Sequence, residues 1–519
     1  MTEQSNAYDE VPYESLPIAV SHPLRMATTA HLMGLRPVPL DQCRVLEIGC
    51  SMGGNIIPMA VNFPKSEFVG IDYSAVQIER GLPTIAALNL KNIILKAVNV
   101  LDITPDFGQF DYIIAHGVYS WVPQVVREKI MEVCARNLSP RGIAYVSYNT
   151  YPGWHMLRSI REMMMHHSNR FSTPQKRVEQ ARALLDYLAS HTDSERSAYG
   201  IMLKNEVDRL RQSPDYYLLH EHLETVNEPL YFHQFVEHAT RHDLQYVGDT
   251  QFSAMVVPNL SSFVTDTLRK VTTDRIEMEQ YVDFLRNGTF RRSLLTHRAA
   301  TVRSEVELAR AKELFVNSSA RPVAPAPDVA SDRGEDFRTD EGVSGSTANR
   351  ITKAAMMVMS EHYPQPLHFE KLLRLARKKL PKAYAADPND EDLLAADLLG
   401  AGTMNLVQMH AFAVPVQMEV APRPRVGVLT RHQAPQGWVT SHFHARISLD
   451  EFTGYLLTLL DGTRDRKALY RDMLDVARQG KITMAANGVA VLEEGALRNA
   501  VQQSVDNALD KLVRMALLI

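Results

Sequence analysis

The feature that most constrains this chain is the stretch from Arg44 to about Tyr148, where short apolar runs alternate with helix-patterned ones. Arg44–Ile48, Phe68–Ile71, Ile93–Ala97, Tyr112–Ala115 and Ile143–Tyr148 have the compact, β-branched and aromatic character of buried strands. Between them, Ala75–Asn89 and Pro123–Leu138 carry apolar residues at helical spacing. Strand, helix and strand repeated in this way predict a parallel sheet with helices on both faces, since a parallel crossover needs a helix to return the chain. Ligands of such sheets bind beyond the carboxyl ends of the strands, and chemistry is to be sought there.

The first strand ends in Glu47-Ile48-Gly49-Cys50-Ser51-Met52-Gly53-Gly54. A glycine-bearing turn of this kind lets backbone come close to a nucleotide-like ligand. A dinucleotide needs glycine at the second position of the turn to admit its pyrophosphate, and Ser51 stands there. A nucleoside without a pyrophosphate tolerates the serine. Asp72 closes the second strand 23 positions beyond Gly49, where a carboxylate accepts hydrogen bonds from both ribose hydroxyls. Read blandly, Asp72 is a surface aspartate that opens a turn. Asp102 follows the third strand, in place to accept from an adenine amine, with Leu101 as an apolar contact to the ring. Successive carboxylates at successive strand ends favour a bound nucleoside over coincidence.

The remaining length, in a chain of 519 residues, exceeds what one core can use. Residues 1–165 form the predicted α/β domain, and 166–316 read as a mostly helical middle domain. Residues 317–349, rich in Pro, Ala, Ser, Asp and Gly, read as a flexible linker. The segment 350–519 reads as an α+β domain for which a winged helix is one candidate, with helices at Leu367–Leu380, Leu449–Leu460 and Leu497–Leu518 and a strand at Ala411–Val420.

Lys plus Arg number 56 against 60 Asp plus Glu, so no global field draws in nucleic acid or an anionic membrane. Met1–Ser15 is polar and acidic, and no later stretch is apolar enough to span a bilayer, so a cytoplasmic protein is expected. Cys43, Cys50 and Cys134 lack paired metal spacing and read as reduced core residues.

Val45–Cys50, Phe68–Asp72 and Phe110–Ile114 resemble, in order, the motifs of class I S-adenosylmethionine-dependent methyltransferases. Tyr8–Tyr13, His116–Pro123 and Tyr148–Trp154 resemble more narrowly the bacterial methyltransferases that carry a methyltransferase regulatory domain, a group that includes rickettsial protein-lysine methyltransferases. His220–Asp249 and Asp283–Leu295, including Asn227–Phe232, resemble that regulatory segment. The departure at Ser51 from the common glycine leaves the cofactor unchanged and bears only on how closely it approaches.

The resemblance implies a Rossmann-like fold with S-adenosylmethionine as cofactor. Glu47, Gly49, Cys50, Ser51 and Gly53 would form its methionine and ribose side, with Asp72 and Tyr73 at the ribose, Leu101 and Asp102 at the adenine, and His116 beside the methyl group. His116, Tyr119, Trp121, Tyr148, Asn149 and Trp154 are the candidates for acceptor orientation, His116 also as a base; ordinary packing between domains is the alternative for each. Lysine side chains of a protein are the leading acceptor. A small-molecule acceptor, or a regulatory protein that binds the cofactor without turnover, stays open, as does a homodimer.

His220, His222, His233, His238 and His242 include an i,i+4 pair, but the glutamate of a zinc-protease motif is missing and no metal is expected. Arg374, Arg377, Lys378, Lys379 and Lys382 read as a solvated helix face rather than a phosphate contact. Leu459–Arg464 is too short a match to a peptide-presenting winged helix to carry weight.

Overall fold

In the computed structural model, which describes residues 11, 14–255, 262–381, 387–486, 489–491 and 493–519, β1 (Arg44–Ile48) lies between β2 (Glu67–Asp72) and β4 (Phe110–Ala115). The resembling segment Tyr8–Tyr13, apart from Val11, and Lys382 fall outside the described residues. Val45, Leu46 and Ile48 are buried, as a central strand covered on both faces requires. Their side chains alternate. Val45 joins Tyr112, Ile114, Tyr145 and Leu294 in a core beneath the helix Pro23–Leu32, while Leu46 joins Ile113, Ala144, Val146 and Leu295 beneath Gln124–Arg136.

With β3 (Ile93–Ala97), β5 (Leu138–Asn149), β6 (Leu244–Asp249) and β7 (Phe290–His297), the sheet has seven strands in the order β3-β2-β1-β4-β5-β7-β6. The expected purely parallel sheet is corrected at one edge. β7 runs antiparallel to both β5 and β6. The boundary expected near residue 165 is corrected too, because the middle segment supplies the last two strands of the first domain's sheet. Their signal is masked by charge: Arg291 and Arg292 interrupt the apolar pattern of β7. Arg291 is nevertheless 2% exposed, paired with Glu279 at 2.7 Å and Asp283 at 2.9 Å and lying over the Phe232 ring.

Between β5 and β6, the helices Gly153–Ser168, Pro174–His191, Ala198–Arg211 and Asp215–His222 pack around their own core of Ile160, Val178, Leu185, Leu203 and Leu218. The region expected to be a linker, 317–349, instead holds a three-stranded antiparallel sheet of β9 (Arg321–Pro322), β10 (Glu335–Arg338) and β11 (Ser344–Thr347). Few aliphatic residues hold it. Phe337 is buried, and the Lys353 ammonium, wholly enclosed, donates to the carbonyls of Ser331 and Arg333 at 2.6 and 2.9 Å.

β8 (Phe315–Asn317), β12 (Leu367–His368) and β13 (Gln408–His410) form a second small sheet against the helices Arg350–His362, Phe369–Lys379 and Asp390–Thr403. The strand expected at Ala411–Val420 is absent, because the ladder ends at His410. Ala411 N–H turns to the Thr28 hydroxyl, and Pro415 has no N–H to give. The last unit pairs β14 (Trp438–Thr440) with β15 (Arg446–Ser448) and packs Glu451–Leu459, Arg466–Arg478 and Glu494–Arg514 around Leu457, Leu469 and Leu509. Among the described residues no helix is long and apolar enough to cross a membrane.

Removing one partner of a buried ion pair leaves the others charged and unsolvated. Arg291→Met should therefore destabilise the sheet unit by about 3–5 kcal/mol, read as a lowered thermal midpoint in calorimetry, whereas Arg292→Met should cost much less.

Candidate active site

The turn after β1 is built on positive φ angles: Gly49 at 74°, Ser51 at 50° and Gly53 at 80°. A side chain at Gly49 would stand 2.5 Å from Val118 Cγ2, so glycine is required by space as well as by conformation. Ser51 occupies the left-handed region without glycine's freedom, and contacts hold it there. Its N–H donates to Asp72 Oδ2 at 2.8 Å, and its hydroxyl donates to Gln77 Oε1 at 3.2 Å. Asp72 Oδ1 accepts from Ser74 N–H at 2.9 Å. A carboxylate offers about four acceptor positions, of which the turn takes at least two. Cys50 contributes backbone only: its thiol is buried against Gly70, and burial pushes its pKa well up. All three cysteines are free and buried.

Glu47, one residue before the end of β1, is 3% exposed. Its Oε1 accepts from Asn55 Nδ2 at 2.7 Å, while Oε2 is buried without a hydrogen-bond partner among the described residues. Burial pushes this carboxyl up to about 8, against a smaller pull from Asn55 and with an added push from Asp72. Asn55 is the hub of the surroundings. Its Oδ1 accepts from Ile18 N–H and from His444 Nε2, each at 2.8 Å, and its Nδ2 also donates to Ser21.

Tyr73, Leu101 and Asp102 stand exposed around the ends of β2 and β3, with Tyr73 at 70%. Asn99 fixes the approach to Asp102 by accepting from Leu101 N–H at 3.0 Å. Tyr73 directly follows Asp72 at the end of β2, and Leu101 and Asp102 lie in the turn that follows β3.

His116 follows β4. Its Nδ1 lies 2.8 Å from the Tyr145 hydroxyl, and its ring stacks on Tyr145 and meets Phe290 edge-on. Burial, reinforced by the charge of Arg292, drives the imidazole down to about 4. Tyr145, Phe290 and Arg292 were not singled out in the sequence. Tyr145 looked like ordinary strand apolarity, and the other two lie on β7, more than 170 residues away.

Two of the aromatic candidates do not face the site, which corrects their expected role in orienting an acceptor. Tyr119 and Tyr148 are each 1% exposed and pack with Phe235 beneath the sheet. Their hydroxyls are engaged by His238 Nδ1 at 2.5 Å and Ser293 Oγ at 2.9 Å. Packing explains both. Trp121 and Trp154 meet edge to face, with centroids 6.3 Å apart, Trp121 partly exposed and Trp154 buried. Asn149 ends β5 at 4% exposure and donates to Asn227 Oδ1 at 3.2 Å. Leu230 N–H bonds the Asn149 carbonyl, and Tyr151 N–H bonds the Leu230 carbonyl, so the Asn227–Tyr231 stretch is laid along the tip of β5. Asn227 thereby joins the neighbourhood of the site, a place that the Asn227–Phe232 motif does not reveal by itself.

His238 and His242 do come together, with a third group that sequence spacing could not supply. Glu128 Oε2 lies 2.9 and 3.0 Å from their Nε2 atoms, and all three groups fall within 4.8 Å of one another. These hydrogen bonds hold the Glu128 carboxyl down to about 2. The basic helix face is partly neutralised: Lys379 pairs with Glu361 at 2.6 Å and Arg377 with Asp390 at 3.7 Å.

A seven-stranded sheet with a single reversed strand, opening on a glycine turn and acidic strand ends, is that of a class I S-adenosylmethionine-dependent methyltransferase, and residues 46–144 match the family model described as a methyltransferase domain. Residues 214–297 match the predicted methyltransferase regulatory domain, and residues 422–517 match the C-terminal winged helix domain of PKMT. The structure of PKMT2 from Rickettsia typhi in complex with AdoHcy aligns over 98% of this chain and 100% of its own, at 31% identity and a TM-score of 0.88. A second structure of PKMT2 gives a TM-score of 0.89 with the same coverage and identity. The uncharacterized protein RP789 of Rickettsia prowazekii (strain Madrid E) is 35% identical over 523 residues, 99% of this chain and 94% of that one. The chain belongs to the PKMT family of methyltransferases, with the regulatory segment and the winged helix that mark it.

The buried Glu47 carboxyl gives a test of the site's electrostatics. Folded, it keeps its proton to about pH 8; unfolded, it releases it near the ordinary glutamate value. Between those limits the unfolded chain binds fewer protons, so this position's contribution to stability falls as pH rises. In thermal melts without cofactor, Glu47→Gln should gain progressively on the wild type from about pH 5 to pH 8, and a flat difference would mean that the carboxyl is ionised in the fold.

Proposed function

We propose that this chain transfers the methyl group of S-adenosylmethionine to the side-chain amine of lysines in a protein substrate. The observation that carries the reading is end-to-end similarity, winged helix included, to PKMT2, whose structure was solved with AdoHcy. The residues fit the cofactor: Glu47 Oε2 is buried without a partner among the described residues, and an amino-acid ammonium beside it would favour the ionised carboxylate that accepts its hydrogen bond. Asp72 would hold the ribose through acceptor positions beyond those used by the turn. Asp102 and Leu101 would take the adenine, with Tyr73 at the rim, while the backbone of Gly49, Cys50, Ser51 and Gly53 would line the methionine side.

The cofactor, when bound, supplies a methyl group already activated by a sulfonium, so the protein's task is alignment of a neutral nucleophile. A lysine with a pKa of about 10.4 in water must arrive without its proton. Phe290 and the Trp121–Trp154 pair offer an apolar approach that favours the uncharged amine. In the tautomer that donates Nδ1–H to the Tyr145 hydroxyl, His116 presents Nε2 as an acceptor for a hydrogen bond from that amine. Held down to about 4, the ring stays neutral across the working pH range and does not compete as a cation. It orients the amine through that hydrogen bond and takes no proton; once the methyl carbon has passed from sulfur to nitrogen, the resulting ammonium gives its proton to water. Asn149, tied to Asn227, couples the regulatory segment to this end of the sheet.

Incubation of the protein with methyl-labelled cofactor and a bacterial protein extract should place label on lysine residues, identified by mass spectrometry of digests. Label confined to small molecules, or cofactor binding without transfer, would overturn the lysine reading. Asp72→Asn should weaken cofactor binding about ten- to a hundredfold, the scale of a charge-assisted hydrogen bond, measured by calorimetry. His116→Gln should lower kcat without shifting its pH profile above about pH 5, because the ring is already neutral there, while leaving cofactor affinity close to wild type.

A further inference from the structure

Between the helix Pro23–Leu32 and the end of β6 lies a cavity of about 280 Å³ whose lining shares no residue with the candidate cofactor site. It is walled by that helix, by the Thr250–Phe252 segment after β6 and by the Gly402–Met409 stretch leading into β13. Its size is near the lower end of small-molecule pockets.

Three polar groups line it with their donors uncommitted. The Arg25 guanidinium has no hydrogen bond and no ion pair among the described residues, and burial lowers its pKa with no neighbouring acid to offset the effect. Thr250 is 6% exposed, and its buried hydroxyl has no partner among the described residues. Gln251 gives its amide oxygen to Arg292 at 2.8 Å, which leaves its amide N–H groups for the cavity. Asn405 and Gln408 add further carboxamides, and none of the lining residues is acidic. The neighbouring acid, Asp249, is not in the lining, and its two oxygens are taken by the backbone N–H groups of Gln251 and Arg292.

A half-buried guanidinium with no counter-charge, beside a buried hydroxyl with no partner among the described residues, leaves donors that an anion would satisfy. Arginine is also the residue best shaped to grip a carboxylate or phosphate in two-point fashion. We propose that this cavity is an anion-binding site, which takes a small molecule bearing a carboxylate or phosphate through Arg25, Thr250 and Gln251. The site is independent of which acceptor the enzyme methylates. Its occupant would join three separate parts of the chain, and the Gln251–Arg292 bond links it to the neighbourhood of His116.

The test is isothermal titration of the full chain with inorganic phosphate and, separately, citrate, at constant ionic strength. One of the two should bind saturably, about tenfold or more weaker in Arg25→Met and measurably weaker in Thr250→Val, with AdoHcy binding unchanged in both variants. Because Arg25 has no partner to lose, Arg25→Met should melt no lower than the wild type, which separates loss of the site from loss of the fold. The proposal is overturned if neither probe saturates below about 10 mM, a range in which a weak specific site still registers, or if both variants bind as the wild type does. Loss of AdoHcy binding in Arg25→Met would also overturn it, by assigning the guanidinium to the cofactor.

Discussion

The structure turns on one carboxamide. Asn55 receives hydrogen bonds from Ile18 N–H and from His444 of the winged-helix domain, and gives its own to Ser21 and to Glu47 at the cofactor end of β1. Segments separated by nearly four hundred residues thus converge on a side chain 4% exposed. His444 reaches it from a turn with φ 61°, a conformation that the junction must hold against local preference. An amide with both ends satisfied in a low-dielectric interior permits little choice of geometry. The position of Glu47, and with it the acidic end of the cofactor's place, is therefore set jointly by the first and the last parts of the chain.

The methyltransferase sheet was largely legible because its first five strands are apolar on both faces and close together in sequence. β6 and β7 were not, since a strand whose inward residue is Arg291 looks polar until Glu279, Asp283 and Phe232 are seen around it. The same blindness made 317–349 look like a linker: Lys353, the residue that holds its loop, reads as a surface lysine. Composition reports solvation in the unfolded chain. It cannot report a charge that the fold has paired.

For the site, residues adjacent to motifs were found and residues opposite them were not. Glu47, Asp72 and His116 announce themselves by position at strand ends. Asn55, Tyr145, Phe290, Arg292 and the Arg25 cavity depend on which elements the topology brings together. Tyr119 and Tyr148 show the converse error, since aromatic residues beside a functional motif served the core behind it. The serine at position 51, a mild departure on paper, occupies a backbone conformation that glycine would adopt freely, and its bonds to Asp72 and Gln77 compensate.

The reversed strand also bears on how the protein is made. β5 ends at Asn149, yet its partner β7 begins only at Phe290. On a ribosome adding about 5–20 residues per second, the long edge of β5 waits on the order of ten seconds or more for its neighbour. Exposed strand edges invite pairing with other chains. The helical insert emerges during that interval, with the Asn227–Tyr231 stretch that lies across the tip of β5 appearing before β7 does. The stretch that lies along the tip of β5 is thus, by order of synthesis, available before the partner strand that completes the sheet.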